Sequence, residues 1–165
     1  MTAQIGETLH YDGREHTMCS EPLGDYFALG GEKPAFLENC TALWRGYIGT
    51  WEIRDGRLYL VNIDARLRDG TKVTLADLFP GFPERVFAHW YSGTLRLPDG
   101  KQLLYVHMGY SSKYERDILV RIEKGVVQET EVRINGKQDD PDAPEGYSVD
   151  AMTVFHPESG ERENK

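Results

Sequence analysis

The chain is poor in cysteine and in positive charge. Its two cysteines, Cys19 and Cys40, are too few and too widely spaced for a disulfide framework or a zinc site. Lys and Arg number 19 against 27 Asp and Glu, a formal net charge of −8. That balance points away from nucleic acid, where binding rests on neutralising phosphates. It also points away from an anionic membrane surface. No stretch approaches the roughly 18 apolar residues of a spanning helix. The opening residues, Met1 to Glu7, have neither the basic nor the apolar region of a secretory signal. The expected compartment is the cytoplasm, where both thiols stay reduced.

The motifs of common chemistries are missing as well. Gly30-Gly31-Glu32-Lys33 lacks the GK[ST] ending of a phosphate-binding loop, and no GxGxxG follows a strand pattern. None of the five histidines belongs to an HExxH or a close His/Cys pair. There is no GxSxG elbow. The sequence therefore predicts no metal and no cofactor.

What the sequence has is glycine at corners. Asp-Gly occurs at 12–13, 55–56, 69–70 and 99–100. This dipeptide suits two-residue hairpin turns, which need positive φ at both positions. The flanking patterns predict Thr8–Tyr11 paired with Arg14–Met18, and Tyr47–Arg54 paired with a long strand from Arg57. They also predict 91–97 paired with 104–108 across Asp99-Gly100, since the apolar parities on the two sides require an even loop. Ile118, Val120 and Ile122 share parity with Val126, Val132 and Ile134, which predicts an odd loop, Glu123-Lys124-Gly125. Two short helices are expected, at Pro22–Leu29 and after the Thr74 N-cap. The expected fold is a mainly β, antiparallel meander of about eight strands, closed into a barrel or strongly bent. It forms one domain over residues 1–156, with a polar tail at 157–165.

Charge is uneven along this scaffold. Residues 1–128 carry 15 basic against 17 acidic side chains; residues 129–165 carry 4 against 10. The odd-loop register places Asp117 opposite Glu131 and Glu115 opposite Arg133. Like charges facing each other across a ladder are unfavourable unless neutralised. Arg121 and Arg133 nearby supply an ordinary neutralisation. The sharper reading is an acidic face kept for a cationic partner, formed by Glu115, Asp117, Glu129, Glu131, Asp139 and Asp140. On that reading the chain is a non-catalytic acidic protein that binds a basic protein, as an immunity or inhibitor protein does.

Two alternatives come from other residues. Trp44, Arg45, Tyr47, Tyr105, His107 and Tyr110 could line a barrel cavity for a small anionic molecule, although Trp and Tyr are also ordinary sheet-core residues. His107 would lie beside Ser92 across the Asp99-Gly100 hairpin, as in a small hydrolase. A cross-strand hydrogen bond explains that pair equally well.

Overall fold

Two of the corner dipeptides fold as their chemistry dictates. A computed structural model describes residues 3–38, 40–106 and 108–137. In it β1 (Glu7–Tyr11) turns into β2 (Arg14–Met18) at Asp12-Gly13, and β3 (Tyr47–Arg54) turns into β4 (Arg57–Ala65) at Asp55-Gly56. Both residues of each pair have positive φ, 53° and 74° in the first, 53° and 73° in the second. At Asp69-Gly70 the chain makes a longer turn, with positive φ at Gly70 alone, closed by a bridge between Arg66 and Lys72. β5 (Val86–Phe87) is a short partner of β4. β6 (Gly93–Leu104), β7 (Lys113–Glu123) and β8 (Val126–Ile134) complete the strands.

Among the described residues helix is confined to the two expected places. α1 (Pro22–Ala28) starts with Pro at its first turn. α2 (Leu75–Leu78) opens with a reciprocal capping box: Asp77 N–H donates to the Thr74 hydroxyl, and Thr74 N–H donates to the Asp77 carboxylate at 2.8 Å.

The strand order is β2-β1-β3-β4-β8-β7-β6, with β5 beside β4. This corrects the simple meander in two respects. β1 lies parallel to β3, so the sheet is mixed, and β8 rather than β5 or β6 follows β4. β4 and β8 share a single register pair, Arg57 with Val126, at the tips of their hairpins. The sheet is not closed, so it is not a barrel. Its terminal strands β2 and β6 nevertheless meet where Cys19 N–H donates to the Arg96 carbonyl at 2.8 Å, which requires the sheet to curve back on itself. The space inside the curve is filled by Leu9, Trp51, Leu58, Leu60, Leu95, Leu97 and Val120, all fully buried.

The Asp99-Gly100 hairpin does not form. β6 runs straight through it and pairs with β7, Leu95 opposite Val120 and Leu97 opposite Ile118. Only Gly100 has positive φ (82°), so the type I′ requirement fails at Asp99. Gly100 and Lys101 instead bulge opposite Glu115, whose carboxylate accepts the Lys101 N–H at 2.7 Å. Pro98 is tolerated within β6 because this strand ends the path and has no ladder on its outer side.

A Cβ on Gly100 would lie 2.7 Å from a Glu115 carboxylate oxygen, whereas one on Gly13 would meet open space. Gly100→Ala is therefore expected to lower the unfolding free energy by about 2–3 kcal/mol, and Gly13→Ala by about 1 kcal/mol. Urea denaturation of the two variants checks the order; equal losses would contradict the bulge.

Candidate functional site

The β7–β8 hairpin was expected to turn over three residues. It turns over two: Lys124 and Gly125 have φ of 48° and 81°, the same pair of positive angles as the Asp-Gly corners. The equal apolar parity is absorbed instead by a bulge between Arg121 and Ile122 that leaves Gln128 unpaired. This moves the register by two residues. Asp117 faces Arg133, Leu119 faces Glu131 and Arg121 faces Glu129. The expected opposition of Asp117 and Glu131 is thus replaced by the opposite-charge pairs Asp117 with Arg133 and Arg121 with Glu129.

Asp117 is the centre of that change. Its side chain is 1% exposed. One carboxylate oxygen accepts from Arg96 Nε at 2.9 Å; the other accepts from Arg133 Nη2 at 2.7 Å and from Asn135 Nδ2 at 3.0 Å. Arg96 also donates to the carbonyls of Tyr110 and Ser112, tying the loop before β7 to β6. Burial alone would raise the Asp117 pKa. The hydrogen bonds from Asn135, Arg133 and Arg96, with the Arg96 charge, outweigh it and hold the carboxyl below its usual 3.8. Asp117 thus joins β6, β7 and β8 and is not presented to a partner.

The other acidic residues are divided. Glu115 is half-buried and engaged with Lys101 N–H. Glu129 is exposed and paired with Arg121 at 3.0 Å. Glu131 is exposed and has no ion pair among the described residues. Asp139 and Asp140 lie outside the described residues.

β8 is the strand that the other described residues leave open. From Gln128 to Ile134 every side chain is exposed, including Val132 at 53% and Ile134 at 68%. Asn135 N–H donates to the Glu115 carbonyl. The alternation of an antiparallel ladder then directs the backbone groups of Glu129, Glu131 and Arg133 toward β7, and those of Thr130, Val132 and Ile134 away from it. No described strand receives the latter. Side chains alternate likewise: Thr130, Val132 and Ile134 share the core-side face with Ile118 and Val120, and Glu129, Glu131 and Arg133 share the reverse face.

Part of the aromatic set does converge. Arg45 lies over the Tyr47 ring at 5.4 Å and donates to the Tyr110 hydroxyl at 3.3 Å. Its strongest partner was not foreseen. Glu7, fully buried, accepts from Arg45 Nη2 and from Gly49 N–H, both at 2.7 Å. Tyr110 in turn donates to Glu21 at 2.6 Å. Burial pushes the Glu7 carboxyl up, opposed by the Arg45 charge; Arg45 is held charged by Glu7. Among the buried side-chain polar atoms of the described residues, Arg45 Nε alone lacks a partner. Trp44 is exposed and Tyr105 half-buried. Glu7, Arg45, Tyr47 and Tyr110 form a packed polar joint.

Two surface clefts lie elsewhere. One, of about 350 Å³, is lined by the β1–β2 turn with Glu52 and Ile53; the other, of about 110 Å³, lies among Leu37, Leu43, Ile48 and Asp64. His107 lies outside the described residues. The hairpin meant to set Ser92 opposite it is not formed, and the Ser92 hydroxyl accepts the Lys124 N–H at 2.9 Å. No cluster of three His, Cys, Asp or Glu side chains suited to a metal occurs among the described residues, and no described helix is long and apolar enough to cross a membrane. In comparisons with known proteins the chain matches no family model, no curated protein and no solved structure.

Glu7 and Arg96 escaped the sequence reading because their partners lie far off in the chain. A faint signal existed: Glu7 shares the inward parity of Leu9 and Tyr11.

Two outcomes follow from these buried charges. Glu7→Leu, which strands Arg45, should cost about 3–5 kcal/mol, and adding Arg45→Leu should recover part of that loss; a double variant no better than additive contradicts the pairing. The Asp117 contribution is complete above its unfolded pKa and is lost as pH falls through the lowered folded value. Asp117→Asn should thus be less stable than wild type at neutral pH, and the gap should narrow from about pH 4 to pH 2 in urea titrations.

Proposed function

We propose that this chain is a cytoplasmic, non-catalytic binding domain that engages a basic protein through the surface around β8, as an immunity or inhibitor protein covers its target. The observation that supports it best is β8 itself, exposed over Gln128–Ile134 with Glu129 and Glu131 on one face. Sheets normally bury or pair such a strand.

Charge supports the choice of partner. Ten acidic against four basic residues lie from 129 onward, so Glu129 and Glu131 begin the most acidic part of the chain, followed by Asp139 and Asp140. A cationic surface would be steered to that end at low ionic strength. Asp117 serves this surface only from beneath, by holding Arg133 and Asn135 in place. A small-molecule role for Arg45 would require an anion to displace Glu7 from it. The hydrolase alternative relies on the Asp99-Gly100 hairpin to set Ser92 beside His107, and that hairpin is not formed.

Glu129→Lys with Glu131→Lys tests the reading. Both side chains are exposed, so the melting temperature should stay within a few degrees of wild type. The immobilised wild-type chain should retain a basic protein from its native source at low salt, release it at high salt, and lose it in the double variant. Equal retention by the variant would remove β8 from the binding surface.

A further inference from the structure

The edge of β8 that the described residues leave unpaired has a property that the acidic-surface reading does not use: it is complementary to itself. Laid antiparallel against a second β8 and centred on Val132, residue numbers across the pair sum to 264. Glu131 then stands opposite Arg133 of the other copy, and Arg133 opposite its Glu131. Thr130 meets Ile134, and Val132 meets Val132. The hydrogen-bonding phase agrees. The outward-directed backbone groups are those of Thr130, Val132 and Ile134, and these are the residues that such a register pairs with one another. Centring on Glu131 or Arg133 would bring the same outward groups together but set Glu131 against Glu131 or Arg133 against Arg133, so charge selects the Val132 register.

We propose that two copies of this chain pair through the β8 edges as a two-fold dimer. A two-fold contact requires one surface to be complementary to itself, and alternating charges of opposite sign two residues apart supply that. Single-sign charge or inward lysines, the usual means of blunting an edge, are missing from Gln128–Ile134. The exposed side chains of Val132 and Ile134 then lie along a common apolar strip with their counterparts. Tyr11, which bonds Thr130 through its hydroxyl at 2.9 Å, marks the inner limit of the open stretch. In the dimer β6-β7-β8 continues into its partner as one six-stranded surface.

Sedimentation equilibrium of the full chain, at concentrations up to about 100 µM because edge contacts are small, should give twice the 18.8 kDa chain mass. Val132→Pro removes an outward N–H at a position not bonded to β7, and should raise the dissociation constant at least tenfold. Glu131→Arg sets Arg against Arg133, and Arg133→Glu sets Glu against Glu131; each alone should weaken the dimer. The two together restore opposite charges and should restore dimerisation, which a merely structural role for either residue would not do. Asp117 keeps Arg96 and Asn135 in the Arg133 variant. A chain of 18.8 kDa at every concentration overturns the proposal, as does a dimer indifferent to Val132→Pro and to the charge swap. A monomer that still retains a basic protein through Glu129 and Glu131 would overturn the dimer and leave the acidic-surface reading standing.

Discussion

The carboxylate of Asp117 is the constraint on which the rest of this half of the molecule depends. Taking it out of water is costly, and the cost is met only if its oxygens are fully hydrogen-bonded. Arg96 from β6, and Arg133 and Asn135 from the end of β8, do this. Those bonds set β7 against β8 in one register. A shift by one residue would turn Arg133 to the other side of the sheet and leave the carboxylate without it. The same Arg96 binds the Tyr110 and Ser112 carbonyls, so the charge that fixes β8 also fastens the loop before β7. The exposure and facing of β8 are thus consequences of a buried charge on its neighbour.

Glu7 plays the corresponding part in the other half. It ties the first strand to Arg45 and to the Gly49 backbone. Space for it exists because Gly49 has no side chain: a Cβ there would come within 2.8 Å of the carboxylate. Tyr110 bonds both Arg45 and Glu21, and it comes from the loop that Arg96 also holds. The two buried acids are therefore joined through one loop. Small departures at either would be felt by both ends of the curved sheet.

Local chemistry was legible in the sequence wherever it was sufficient. The Asp12-Gly13 and Asp55-Gly56 turns, the Thr74–Asp77 cap and the proline-led first helix all formed as expected, because each depends on residues within a few positions. The errors arose where local signals admitted two solutions. Gly100 satisfies a bulge as readily as a turn, and the burial of Leu95 and Leu97 against Val120 and Ile118 decides for the bulge. Gly125 ends a two-residue loop as readily as a three-residue one, and the buried Asp117 accompanies the former. The partners of Glu7, 38 and 42 positions away, leave no periodic trace. Open strand edges are equally invisible, because a sequence shows side-chain parity but not which neighbour is missing.

The parallel contact between β1 and β3 carries a kinetic consequence. The hairpins β1–β2, β3–β4 and β7–β8 close over two-residue turns and can form within microseconds of collapse. Thr8 meets Thr50 only after the intervening chain, including the first helix, has been ordered. The entropy of closing that long loop must be met before the contact gives any return. Docking of the N-terminal hairpin on β3 is accordingly slower than closure of the local hairpins.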